Sequence, residues 1–233
     1  MAPRSLGTAP LVSWFRRRPT SAPVNHVAFG TFCHIAWTLR ETGLRRWTGP
    51  FDWIFSTPAM LSECLADDFS ALLDPGQLES VPAERRTHGA RRQCRHPAFE
   101  ARYGLPTLFN HHDPSRPGPD RRALERAVGR LRAALAGPGR NQLYLLSECA
   151  WPEAELAELG ARLGRYPSRN RLLVLAVESG GGRADAERTG GDGVARLDLR
   201  LRTRTRSQSV RFGDPADDEL LRRTLLALAA EAG

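Results

Sequence analysis

Two short, almost unbroken apolar runs constrain this chain more than any other feature. "QLYLLS" (142–147) and "RLLVLAV" (171–177) are too short for core helices and too continuous for half-exposed strands. Strands covered on both faces read this way. Between them Leu156, Leu159 and Leu163 recur at helical spacing, in a segment that begins near Pro152. Strand, helix, strand in that order predicts a βαβ unit with parallel strands, and so an α/β fold with a buried sheet.

The rest of the chain supplies elements to cover such a sheet. Asp120 is placed to cap a helix running through Leu124, Ala127, Val128, Leu131 and Leu135, with Gly137 as its stop. Leu197, Leu199 and Leu201 alternate as in a half-exposed strand, "SVRFG" is a potential pairing partner, and a last helix starts at Asp214. Thr57 and Pro58 open a helix Pro58–Ala66 that carries Leu61, Cys64 and Leu65 on one face. A further helix is expected over Thr31–Thr42, with Thr31 as cap, Phe32, Ile35, Ala36 and Leu39 as its apolar stripe, and Gly43 as its end. Residues 75–102 read as polar and irregular, followed by a short strand over 107–110.

Composition narrows the function classes. A hydrophobic fraction of 41% over 233 residues supports a sizeable core. The charge of +8 comes from arginine alone, with no lysine, and the arginines are scattered among acids. Nucleic-acid binding needs clustering on one face, so it is not expected. No apolar stretch is long enough to span a bilayer, and no membrane role is expected. Cys33, Cys64, Cys94 and Cys149 form no CxxC pair, which predicts free thiols in a reducing cytoplasm. Residues 1–22 are expected to be a disordered Arg-rich tail, and 23–233 a single domain.

Chemistry concentrates at "GTFCHIAW". Cys33 falls near the first turn of the expected helix, where unpaired N–H groups and the helix dipole favour a thiolate. Those N–H groups would also hold an acyl oxyanion. A cysteine on such a face otherwise serves packing. His111 and His112 end the short apolar segment before a Pro-rich loop, a place from which an imidazole reaches a site edge. Cys64 and Cys149 are expected to pack. Asp52, in the turn "PFDW", is expected to bind backbone or an arginine, with Trp53 buried beside it. A metal site built on Cys94, His96, His88 and the His111–His112 pair has only Cys94-x-His96 as closely spaced ligands, and the Gly-rich run at 180–182 lacks the context of a phosphate loop. No metal or cofactor is expected.

Gly30–Cys33 followed by a helix, "GLR" at Gly43–Arg45, "PFDW" at Pro50–Trp53 and Phe109-Asn110-His111 together resemble a bacterial family of papain-like cysteine peptidases. The resemblance implies a papain-like fold, with N-terminal helices carrying the cysteine packed on a mixed sheet. It implies Cys33 as nucleophile and His111 as base, with His112 open as the alternative. Gly30, Asp52, Trp53 and Asp113 would support the site. No orienting residue is matched, and Asp113, Asn141 and Glu148 all stay open. The expected function is thiol-dependent cleavage or transfer of a peptide, amide or thioester acyl group, as a hydrolase or acyltransferase. The rival is a noncatalytic binding module on the same fold, using the aromatics Trp47, Phe51 and Trp53 with Arg45 and Arg46.

Overall fold

The computed structural model describes residues 23–87, 89–178, 185–189, 193–202 and 210–232. The expected N-terminal tail, His88 and the Gly180–Gly182 run lie outside these residues.

The βαβ unit forms as its pattern dictates. β4 (Arg140–Ser147) and β5 (Arg169–Glu178) pair in parallel, joined by α6 (Glu153–Leu163). Leu143 and Leu145 point to one face of the sheet, Tyr144 and Leu146 to the other, and all four are buried. β7 (Val194–Arg200) extends the sheet in parallel beside β5, and β6 (Asp185–Thr189) closes that edge in antiparallel. Because β5 and β6 occupy both sides of β7, Val210–Gly213 of "SVRFG" does not pair with β7; Ser209 lies outside the described residues.

The opposite edge was not legible in sequence. Val24–Ala28 forms β1, parallel to β4, with Ala28 opposite Tyr144. The strand order is therefore β1-β4-β5-β7-β6, mixed through its last strand. An asparagine ladder marks the amino ends of three strands. Asn25 Nδ2 donates to Asn141 Oδ1 at 2.8 Å, and Asn141 Nδ2 donates to Asn170 Oδ1 at 2.8 Å.

Helices cover both faces, giving an α/β fold of the class expected for a papain-like chain. α1 (Cys33–Glu41) and α7 (Pro215–Ala232) enclose one core with Tyr144, Leu173 and Leu197. α2 (Pro58–Ala66), α5 (Pro119–Ala136) and α6 enclose the other with Leu143, Leu172 and Val174. α2 begins as expected, with the Thr57 hydroxyl accepting the Met60 N–H at 3.1 Å. The Arg-rich stretch 75–102 is more ordered than it reads. It holds a two-stranded ribbon of β2 (Glu79–Ser80) and β3 (Cys94–Arg95), then α4 (Pro97–Tyr103), packed after the short α3 (Ser70–Leu73). Pro97 at the start and Gly104 in the left-handed region at the end were the local signals for α4. No helix among the described residues is long and apolar enough to cross a membrane.

Candidate active site

Cys33 is the first residue of α1, delivered there by a strand and a sharp turn. β1 ends at Ala28, and Gly30 (φ 79°) and Thr31 (φ 68°) then occupy the left-handed region in succession. Thr31 is thus not the expected cap. Phe32 precedes the helix, without a side-chain cap hydrogen bond. A β-branched residue at positive φ costs about 1–3 kcal/mol and persists only where its surroundings enforce it. Ser56 is the enforcing residue. Its Oγ accepts the Thr31 N–H at 2.9 Å and donates to the Phe29 carbonyl at 2.7 Å. The Thr31 hydroxyl is buried without a hydrogen-bond partner.

The thiol itself is not ionised at rest. Cys33 is only 5% exposed, and burial, with the Asp52 carboxylate adding to it, pushes its pKa up to about 11 against a backbone hydrogen bond that lowers it. Helix position alone does not offset desolvation of a sulfur anion here. Cys64 and Cys94 are buried too, and burial raises both. Cys149, expected to pack, is exposed just past the end of β4.

Asp52 is buried and accepts from Arg45 Nη1 at 2.7 Å, so its carboxylate meets an arginine. Burial outweighs Arg45 and the Gly49 amide and raises its pKa to about 6. Trp53 is half-buried, with the Arg45 guanidinium 5.5 Å from its ring centre. Phe51 is wholly buried, and so adds no surface to an aromatic cleft.

The segment that carries the histidines is paired with this turn. Gly30 abuts the carbonyls of Phe51 and Ile54, and Ile54 is bridged in antiparallel to Phe109, with Phe55 N–H donating to the Leu108 carbonyl at 3.1 Å. Residues 51–56 thus contact both the Gly30 turn and the Leu108–Phe109 segment. Neither imidazole is hydrogen-bonded to Cys33. His111 is exposed, and desolvation and its neighbour His112 hold its pKa below the usual imidazole range. His112 places Nδ1 3.6 Å from Asp120 Oδ1, while Asp120 Oδ2 accepts from Arg92 at 2.9 Å and from the Asp113 N–H at 2.9 Å.

Asp120, the carboxylate beside His112, reads in sequence only as a helix cap. The proposed orienting residues fare differently. Asp113 is committed elsewhere: burial pushes its carboxyl up, but hydrogen bonds from Ser115 and Ser80 outweigh this and hold it low. Asn141 belongs to the ladder at the amino end of the sheet, opposite Asn25, whereas Cys33 follows the carboxyl end of β1. Glu148 follows the carboxyl end of β4. Both nitrogens of His96 bind backbone: Nδ1 accepts the Phe99 N–H, so Nε2 carries the proton donated to the Ala71 carbonyl. Among the described residues no group of three or more His, Cys, Asp or Glu side chains is placed to hold a metal.

Residues 24–118 match the model of the family described as "Putative papain-like cysteine peptidase". It is the family that the motifs resemble. The matched span runs from β1 to the loop before α5, and includes Cys33, the Pro50–Trp53 turn and both histidines; Asp120 and strands β4 to β7 lie beyond it. No curated protein and no solved structure matches the chain.

Proposed function

We propose that the protein carries out thiol-dependent acyl chemistry as a cysteine peptidase or related acyl hydrolase or acyltransferase, with Cys33 as the nucleophile. The observation that carries this reading is the strained turn. Two left-handed residues and an unpartnered buried hydroxyl stand directly before a cysteine at the first position of an uncapped helix. Strain of this kind is retained where it positions a reacting group.

Because the resting thiol is neutral, its proton must leave as the sulfur attacks. Sulfur forms a bond to the acyl carbon of a peptide, amide or thioester, and an imidazole takes the proton in the same step. The N–H groups at the first turn of α1, with the positive end of the helix dipole, stabilise the oxyanion. The proton then passes to the departing amine or thiol, and water or an amine accepts the acyl group from sulfur. His112 is the favoured base, since Asp120 can orient it and stabilise its cation; His111 is the alternative. Either ring must approach Cys33 when substrate binds.

The test is acyl transfer from p-nitrophenyl acetate, followed by intact-mass and peptide analysis. Acetylated Cys33 in the wild type, lost in Cys33→Ala and slowed in His112→Ala, supports the reading. Acetylation confined to Cys149 would overturn it. A noncatalytic binding module is the second reading, favoured by the burial and raised pKa of Cys33. An unreactive Cys33 at every pH up to its titration would support that module.

A further inference from the structure

A cavity of about 160 Å³ opens between the Thr48–Ile54 turn, the Phe109–Pro114 segment and α5. Its walls include Trp53, Ile54, Phe109, Leu124 and Ala127, and His112 and Asp120 supply its polar edge. Cys33 is not part of its lining. We propose that this cavity is a binding site for a single aromatic ring carrying one hydrogen-bonding substituent, a phenol-like group.

Size, lining and polarity each point to that class. An apolar cavity of about 150 Å³ is known to admit benzene, so the space here fits one ring and is small for a fused pair. Trp53 stays half-exposed at the wall, offering the edge or face that an aromatic guest prefers. The ionisable groups of the lining stand together, where His112 lies beside Asp120. With Nδ1 turned to that carboxylate, the other ring nitrogen is left to meet the substituent. The walls are rigid: Ile54 and Phe109 are bridged to each other, and Leu124 and Ala127 are buried positions of an 18-residue helix. The inference stands whether or not Cys33 reacts.

The experiment titrates the full chain with p-cresol and with toluene, read by ligand-observed saturation-transfer NMR and calorimetry. Both rings bind the wild type, and p-cresol binds more tightly. Ala127→Phe fills the cavity and weakens both at least about tenfold, roughly the loss of one ring's contacts. His112→Leu removes the preference for p-cresol while toluene still binds. Cys33→Ala binds as the wild type does, so a failed acylation assay leaves this result untouched. Absence of binding to the wild type, or binding unchanged in Ala127→Phe, overturns the proposal; a p-cresol preference unchanged in His112→Leu overturns its polar part. If Ala127→Phe does not fold, Leu124→Ala replaces it: the enlarged cavity should gain 2-naphthol, and failure to gain it overturns the site.

Discussion

Gly30 is pressed against Ser56 so closely that a Cβ on the glycine would stand 2.5 Å from the serine Oγ. The same Cβ would meet the carbonyls of Phe51 and Ile54 at 3.2 Å, and the backbone φ of +79° is itself unfavourable for any other residue. Gly30→Ala should therefore destabilise the protein by about 2–4 kcal/mol, combining left-handed strain with a collision with the Ser56 hydroxyl and tight contact with two carbonyls. A lowered urea midpoint is the expected result.

Thr31→Gly should act in the opposite direction. It relieves a left-handed β-branched residue and removes an unpartnered buried hydroxyl, at the entropic cost of a glycine. A gain of up to about 1 kcal/mol is expected. If activity falls while stability rises, the strain belongs to function.

The four thiols should react in an order set by exposure, not by helix position. Iodoacetamide at neutral pH should modify exposed Cys149 first, with Cys33 lagging and Cys64 and Cys94 last. The Cys33 rate should climb with pH toward about 11. Selective labelling of Cys33 in mild acid would show instead that its sulfur is ionised.

Two buried groups should oppose each other in acid. Asp52 titrates near 6 in the fold against an ordinary 3.8. Between these values the folded chain holds a proton that the unfolded chain has lost, so its contribution weakens as pH rises. His34, 1% exposed with Nε2 3.2 Å from Asp218 Oδ1, is lowered by burial to about 4 from 6.5, so its contribution is lost as pH falls through that window. Each shift corresponds to about 3 kcal/mol at most. Asp52→Asn should remove the first effect and leave a stability that drops steadily from pH 6.5 to 4, measured by urea unfolding at each pH.

Asp120→Asn tests the orienting carboxylate. It keeps the shape but removes the charge shared by His112 and Arg92. Acylation of Cys33 should slow by about 10²-fold if His112 is the base. An unchanged Cys33 acylation rate in Asp120→Asn would leave Asp120 as a structural partner of Arg92 and the Asp113 N–H alone.

Periodicity carried the sheet centre and most of the helices. Runs such as Leu143–Leu146 and Leu172–Leu175, the stripe Leu124–Leu135 and the Thr57–Pro58 start are local patterns, and each element formed where its pattern lay. The motif residues Cys33 and Pro50–Trp53 carried the resemblance to the family whose model matches residues 24–118. β1 was invisible because Val24–Ala28 lacks both alternation and a continuous apolar run; only pairing with β4 makes it a strand. α4 was hidden by charge, since a helix propped on one buried Phe99 shows no stripe.

The ionisation of Cys33 and the partner of His112 could not be read from neighbours in sequence. A thiol's pKa depends on how much water its surroundings exclude, and that was set by the packing of residues far along the chain. The carboxylate beside His112 arrives on a helix whose first turn is placed by a loop and by the core that Leu124 and Val128 join. Sequence fixes which side chains are available and which local conformations they favour; desolvation and convergence are properties of the assembled chain, because both depend on contacts made across it.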